Sequence, residues 1–493
     1  MRPQDSLGRR SRAGAATAAC AATLACAAAV GLAGCVVGPS YSGPPDVAGG
    51  NVHAFRRADA TAVSSEPVAR WWAALRDPEL DHLVQAALAS SPTVAAAEAR
   101  LRQARAQLRG QRANGLPNSD ASAAYLRTRN LTSLLGSGST SSSSSGALNF
   151  YALGFDATWE LDLFGGNVRA VQAAAAVAQS SQARLAAVRV SLSAEVGQAY
   201  VQLRDAQQRL RLTQRNIDVE ARILALYELR RAGGTASDLD VARLTNQLDT
   251  TRATLAPLRA AVVEQLDRLA VLVGCAPGAL DAELSAPAPV PPPPARVVVG
   301  DPVALLQRRP DIVAAERTLA ARTASVGQSI AATFPKVNLL GEIGFAALNP
   351  ETLVSGAGFS YLVAPVLQWD PWDFGRNQAR IGAARAARDE AEADYRSTVL
   401  SALEDAEDSL ARYAEQRNAV TDLARAQASA EQVYALTEIR LRGGTADTTD
   451  VLDADTRRIQ AELDYSRALA ELTDDYVALQ KSLGLGWMDS SAE

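Results

Sequence analysis

Cysteine is nearly absent from this chain. Of 493 residues only four are Cys, and three of them, Cys20, Cys26 and Cys35, fall in the first 35, which leaves Cys275 alone beyond. That distribution excludes a disulfide framework or a Cys-based metal site in the body of the protein. Two histidines, His53 and His82, are too few for a His-rich centre. Aromatic residues make up 5% of the chain against 48% hydrophobic residues in all. Alanine therefore does most of the apolar work, which favours long, closely packed helices over a few large aromatic cores. Beyond the first 35 residues no apolar run reaches the roughly 18 residues that a membrane-spanning helix needs. A hydrolase would need a nucleophile–base or paired-carboxylate cluster, and no Gly-x-Ser-x-Gly, His-Glu-x-x-His or P-loop pattern occurs. No enzyme, cofactor or metal is expected.

The N-terminus has the layout of a leader. Arg2, Arg9, Arg10 and Arg12 precede a small, apolar stretch from Ala13 to Ala33, which closes on Leu32-Ala33-Gly34-Cys35. This basic–apolar–small order is that of a signal peptide. Its last four residues match a lipobox, in which small residues fit the signal peptidase and the following thiol takes the lipid. Residues 1–34 are expected to be removed and Cys35 to carry the lipid. Alanine is too weakly hydrophobic for the stretch to remain as a stable span. Loss of four Arg and Asp5 takes the formal charge from −5 to −8, with no basic patch suited to nucleic acid.

The chain then contains itself twice. Trp159-Glu-Leu-Asp-Leu-Phe-Gly165 answers Trp369-Asp-Pro-Trp-Asp-Phe-Gly375 at an offset of 210. The same offset maps Gly233-Gly234-Thr235 onto Gly443-Gly444-Thr445, Asp240-Val241 onto Asp450-Val451, and Gly274 onto Gly484. Upstream the offset is 218: Pro92, Glu98 and Pro117 correspond to Pro310, Glu316 and Pro335, and Asp77-Pro78 resembles Asp301-Pro302. The eight extra residues of the first copy fall where Ser137–Gly146 forms a flexible polar stretch. The predicted organisation is a leader over 1–34, a first copy over 35–275, a Pro-rich extended linker over 276–300, a second copy over 301–486 and a tail over 487–493.

Each copy is predicted to run in the same order. Asp77-Pro78 and Asp301-Pro302 start helices, which reach Gly115 or Ala332. A period-two segment follows. Tyr151, Leu153, Phe155, Ala157, Trp159 and Leu161 alternate with small and acidic residues, and Val337, Leu339, Ile343, Phe345, Phe359, Tyr361, Val363, Leu367 and Trp369 repeat the pattern. These are β-hairpins over about 118–164 and 336–374, four strands in all. Next come long helices from Gly165 to about Ala232 and from Gly375 to Arg442, each about 100 Å at 1.5 Å per residue. Such helices belong in a coiled coil or a wall of helices. The pairs Gly233-Gly234 and Gly443-Gly444 turn the chain, and a shorter helix returns to Gly274 or Gly484.

Strands with one apolar, aromatic face and one acidic face suit a membrane barrel, although a half-buried soluble sheet shows the same alternation. Four strands cannot close a barrel, and open edges are not tolerated in lipid. Three copies would supply twelve. The predicted fold is mainly α with membrane β, in a homotrimer.

Cys35-Val-Val-Gly-Pro-Ser-Tyr41, Trp71-Trp72, Asp77-Pro-Glu-Leu-Asp81 and Trp159–Gly165 together resemble the outer membrane factor family (TolC-type), in its NodT/OprM-like lipoprotein branch. Arg308-Arg309-Pro310-Asp311-Ile312 with Glu316, Phe334-Pro335 and Asp450-Val-Leu-Asp-Ala454 extend the resemblance over almost the whole mature chain. It implies a 12-stranded outer-membrane β-barrel continuous with a long periplasmic α-helical barrel. It also implies a periplasmic adaptor and an inner-membrane pump as partners, with drugs, toxins, metals or other small molecules as cargo. Val36, rather than Asp, after the lipidated cysteine resembles Gram-negative lipoproteins sorted to the outer membrane. A periplasmic coiled-coil adaptor lipoprotein is the alternative; it would show a single hairpin flanked by compact β-domains.

The resemblance places an aperture at the glycine turns, with Asp450 and Asp453 closing it and Asp240 linking neighbouring helices. Asp450 and Asp453 are three apart on one helix face, and in a trimer would form a ring of six carboxylates that favours cations and raises its own pKa values. The same aspartates also suit ordinary first-turn positions, with Asp238 and Asp447 as caps. Where related chains lock the tip with Tyr and Arg, this one has Leu441 and Ala446, with Arg442 as a substitute. Trp71-Trp72 reads as packing, His82 as a surface residue, and Arg308–Asp311 as a helix start rather than an anion site. Cys275 is assigned no role.

Overall fold

The computed structural model describes residues 36–47, 55–57, 62–63, 70–128, 148–299 and 308–487. Cys35 with its leader, His53, the Ser-rich stretch 137–146, Asp301-Pro302 and residues 488–493 lie outside the described residues.

A 3-10 turn at Trp71–Leu75 leads into helix α1 (Pro78–Ser90). Asp77 caps α1 by accepting the Glu79 and Leu80 N–H groups, with Pro78 at the first position, as the sequence requires. The helix expected to reach Gly115 breaks at Ser91, whose ψ is 129°, and resumes as α2 (Pro92–Ala113). Pro92 disfavours helical backbone in the residue before it and has no N–H to continue the ladder.

Two minor strands, β1 (Ala62–Val63) and β4 (Val297–Val298), pair in parallel. The main sheet holds β2 (Asn118–Thr128), β3 (Leu148–Leu161), β5 (Lys336–Ala347) and β6 (Phe359–Gln368), antiparallel throughout in the order β2-β3-β5-β6. At 11, 14, 12 and 10 residues the strands are long enough to cross a bilayer at a tilt. In every strand the odd-numbered residues share one face. There Phe155, Ile343, Tyr361, Val363 and Leu367 are more than half exposed.

Helices α3 (Gly166–Ala232) and α8 (Arg376–Arg442) are 67 residues each. Both end in the same left-handed glycine turn, because Gly234 (φ 75°) and Gly444 (φ 71°) tolerate a backbone that a Cβ would strain. Thr235 N–H bonds to Arg230 O and Gly234 N–H to Arg231 O, and Thr445 and Gly444 repeat this on Arg440 and Leu441. The return paths differ. The second copy returns on one helix, α9 (Thr448–Ser482). The first returns on two, α4 (Asp238–Ala253) and α5 (Leu255–Val273), because Pro257 offers no N–H to the Ala253 carbonyl.

The chain packs as two compact units, and neither is one sequence copy: each draws segments from both. One (residues 1–44, 103–179 and 317–393) holds the main sheet. Its helical part packs through small residues, Ala176, Ala320 and Ala321, with Tyr41 against them. The other (residues 45–102, 180–316 and 394–493) has its core around Trp71, Trp72, Leu80, Tyr200, Leu269 and Tyr476, so the tryptophan pair is packing, and His82 is exposed. The proline-rich stretch belongs to this second unit as a packed strap, not a free linker. A one-turn helix, α6 (Asp281–Leu284), opens it, and Leu284, Val290, Val297 and Val299 are buried. Arg204 and Gln207 donate to its Ala286 and Leu284 carbonyls, and Thr473 to Pro291 O.

Helix α7 (Pro310–Ala331) begins beside the buried Arg309. All five N–H donors of that guanidinium are used: Nε and Nη2 on Asp311, Nη2 also on Asp405, Nη1 on the Ala402 and Ser482 carbonyls. The Arg309 guanidinium therefore ties a helix start to two others, and has no N–H of its own left for an anion.

Candidate functional site

The two glycine turns are brought together by the ends of α3, α4 and α9. Leu212, Val219 and Ile223 pack with Leu452 and Ile459, and Tyr227 and Leu244 lie against them. Beyond this apolar cluster, Arg230 Nη2 donates to Asp447 Oδ2 at 2.6 Å, an ion pair between the last turn of α3 and the N-cap of α9. Arg230 also lies over the Tyr227 ring, 5.5 Å from its centroid. The pair joins the first copy's hairpin to the second's. Its hydrogen bond to Arg230, then the Asp450 N–H, hold the Asp447 carboxyl below its ordinary pKa.

Both candidate aspartates of the repeat, Asp240 and Asp450, are bonded within their own turns. Asp447 accepts the Asp450 N–H (3.0 Å), and Asp450 accepts the Asp447 N–H in return (2.9 Å). In the first copy Ser237 accepts the Asp240 N–H, and Asp240 accepts the N–H and O–H of Ser237. These are capping boxes, each satisfying two otherwise orphan donors. Hydrogen bonds from Ser237 lower the Asp240 pKa. The first-copy cap is Ser237 and not Asp238, which instead meets Arg231 at 3.4 Å. Asp447 is a cap, as the sequence suggests.

Asp453 differs. It is exposed, one turn further along α9, and makes no hydrogen bond or ion pair among the described residues. Partial desolvation, then repulsion from Asp450 and Asp447, raise its pKa against the pull of Arg457. Among the described residues Arg442 lies 4.0 Å from Glu438, on its own helix. The residue that reaches across is Arg230, which sequence reading passed over. An Arg in the last helical turn is favoured by the dipole whatever it touches, and its repeat partner Arg440 merely bonds the Thr445 carbonyl.

The sheet adds a second feature that periodicity alone does not reveal. Its even-numbered face carries Asp120 opposite Asp156, and Asp156 opposite Glu342, three carboxylates abreast on adjacent strands. Like charges directly opposed destabilise a sheet unless water screens them. Glu160 and Lys336 share this face and pair at 3.5 Å, and Leu126, Leu340 and Leu362 are interspersed.

Comparison with known proteins decides the family. The family model described as Outer membrane efflux protein matches residues 83–275 and 302–485, well over half of the chain in two stretches. Outer membrane protein OprJ of Pseudomonas aeruginosa is 30% identical over 458 residues, 92% of this chain and 94% of that protein. The chain belongs to the outer membrane efflux protein family. Nodulation protein T of Rhizobium leguminosarum is similar over a like span, at 27% identity, 92% of this chain and 95% of that one. Among solved structures, the outer-membrane channel OprN superimposes with a TM-score of 0.82 at 33% identity, covering 92% of this chain and all of that one. The Neisseria gonorrhoeae MtrE outer membrane channel, solved in its open state, gives 0.77 at 25% identity, covering 92% and 98%. Efflux at the outer membrane is thus the family's business, and its members are channels. An adaptor or a periplasmic hydrolase is set aside.

Proposed function

We propose that three copies of this chain assemble into a passive efflux duct, with twelve strands closed as a barrel in the outer membrane and the long helices forming a periplasmic tube. The observation that carries this reading is the main sheet. It has an exposed aromatic and aliphatic face, a face bearing abreast carboxylates, and two edges, β2 and β6, without a partner strand among the described residues. In lipid such edges must be paired, and opposed carboxylates must meet water. A closed ring of three sheets meets both demands. The glycine turns are the gated periplasmic end, where Asp450 and Asp453 from three copies make a carboxylate ring and the Arg230–Asp447 pair holds the two hairpins of each copy together.

In this reading a periplasmic adaptor and an inner-membrane pump deliver cargo to the duct, and selection lies with them. Relatives named for antibiotic efflux, toluene efflux and pyoverdine export fit small organic cargo of varied chemistry. Conductance of purified protein in a planar bilayer tests the duct: small cation-preferring channels are expected, and Asp450→Ala with Asp453→Ala should widen them. A particle of one chain with no conductance would refute it. We infer in addition that Cys35 carries the lipid. Cells fed labelled palmitate should label the wild type and not Cys35→Ser; label that persists in the variant excludes Cys35.

A further inference from the structure

We propose that the two free sheet edges, β6 of one copy and β2 of the next, join in one fixed register that places Pro365 opposite Tyr125 of the neighbouring copy. The inference rests on the trimeric reading above and adds the geometry of its seam.

The repeat offsets supply the register, and the structure provides a check on them. In the first hairpin Asn118 stands opposite Thr158. Adding 218 to the first and 210 to the second lands on Lys336 and Gln368, which stand opposite each other in the second hairpin. The rule carries Ala123 and Leu153 onto Gly341 and Val363, again an observed pair. It holds for a side-chain bond too. Trp159 Nε1 donates to Gly115 O at 3.0 Å, and Trp369 Nε1 donates to Thr333 O at 3.2 Å. The two hairpins are therefore copies in register as well as in sequence.

Between the hairpins lies a third junction, β3 against β5, which joins first copy to second within one chain. There Phe155 stands opposite Ile343. Going round a closed ring, the next junction must join second copy to first, and only a neighbouring chain can provide it. Moving Phe155 forward by 210 gives Pro365, and moving Ile343 back by 218 gives Tyr125. The same step sets Val366 opposite Ala124 and Gln368 opposite Ser122 of the neighbour.

Other observations agree. Odd residues meet odd ones in this register, so the apolar and polar faces run unbroken across the seam. A slip of one residue would turn every side chain to the wrong face, which leaves only slips of two as rivals. Next to the β3–β5 junction, Phe164 stacks on Phe334 with centroids 4.6 Å apart. The images of that contact at the seam are Phe374 and the neighbour's Leu116, which in the single chain are 93% and 66% exposed. Phe374 has a left-handed backbone (φ 54°) that Phe164 lacks, so the decisive test belongs on the strands. The Ala346 N–H bonds Gly358 O, so even-numbered residues of β6 bond β5 and odd ones face outward. Pro365 is thus an outward position with no N–H, which leaves the seam one ladder bond short and discourages casual pairing of the edge.

Disulfide trapping distinguishes the registers. In a Cys275→Ser background, Val366→Cys is combined with Ala124→Cys, and in separate variants with Ser122→Cys or Leu126→Cys, the two slips of two. Residues on β2 and β6 of one chain are three strand spacings, about 14 Å, apart, beyond disulfide reach, so any bond formed joins neighbours. Mild oxidation should convert Val366→Cys/Ala124→Cys to a covalent trimer, and the slipped pairs should yield about a tenth as much or less. A slipped pair that cross-links as well or better overturns the register. So does failure of the in-register pair in a particle whose native mass is trimeric. If the native mass of the unoxidised variants and the wild type is not trimeric, the assembly itself fails, which is a separate result.

Discussion

Substitution of Asp450 separates two ways in which the proposed gate would be held shut. Its carboxylate closes a capping box with Asp447, and Asp447 also holds Arg230 of the other hairpin. Asp450→Ala removes the acceptor for the Asp447 N–H. Loss of that hydrogen bond costs about 1 kcal/mol in one turn. Three protomers whose turns fray independently lose about 3 kcal/mol together. If the capped turn is intact only in the closed state, that state then falls relative to the open one by roughly 100-fold at 1.4 kcal/mol per decade, whereas a turn capped in both states shifts nothing. Asp450→Asn keeps an amide oxygen for the Asp447 N–H and removes only the charge. If the cap holds the turn, Asp450→Asn should keep the wild-type closed occupancy while losing cation preference, and Asp450→Ala should open. Asp453 has no bond to lose, so Asp453→Asn should lower cation preference alone. Single-channel recordings in planar bilayers, read as open occupancy and reversal potential in a salt gradient, check all three variants. Equal open occupancy in Asp450→Asn and Asp450→Ala would refute the capping account and assign closure to charge.

Three further outcomes are expected. Burial, followed by repulsion from Asp475, Asp205 and Glu471, pushes the Asp474 carboxyl up to about 7, with only Gln202 opposing. A folded pKa above the unfolded value of about 3.9 means stability fully present at low pH and lost as pH rises through about 7, by at most about 4 kcal/mol. Melting temperature measured from pH 4 to 8 should fall less steeply in Asp474→Asn, and parallel curves would contradict this. Arg309→Ala strands two buried carbonyls and leaves two solvent-exposed carboxylates unpaired, a loss of about 2–4 kcal/mol that comes mainly from the carbonyls, and should cut the yield of folded protein. An Arg309→Ala protein that melts like wild type would show the guanidinium to be dispensable. On β6, Val363→Lys puts a charge on the apolar face at about 2–4 kcal/mol if that face meets mid-membrane lipid, whereas Ala364→Lys faces the polar side. Outer-membrane trimer yield should drop for the first and not the second; equal effects would sink the face assignment.

Much of the architecture could be read before any coordinates because its causes are local. Alternation from Tyr151 to Leu161 marks a strand, since successive side chains in a strand point to opposite faces. Gly234 and Gly444 mark helix ends, since only glycine enters the left-handed turn without strain. The likeness of the two glycine turns is legible because glycines recur at constant spacing along the chain. Even so, helical periodicity runs through the breaks at Ser91 and before Pro257, and only the prolines that cause them mark the places.

The rest depends on residues far apart in the chain. Arg230 and Arg440 look alike in sequence, and only packing puts one against Asp447 and leaves the other on its own turn. The proline-rich stretch reads as linker until Arg204, Gln207 and Thr473 claim its carbonyls. Asp120, Asp156 and Glu342 become neighbours through the pairing of β3 with β5, a register that no single strand's pattern encodes. Periodicity is a property of one segment and decides what each element is. Contact between segments is a property of the folded chain, and it alone decided which charges meet.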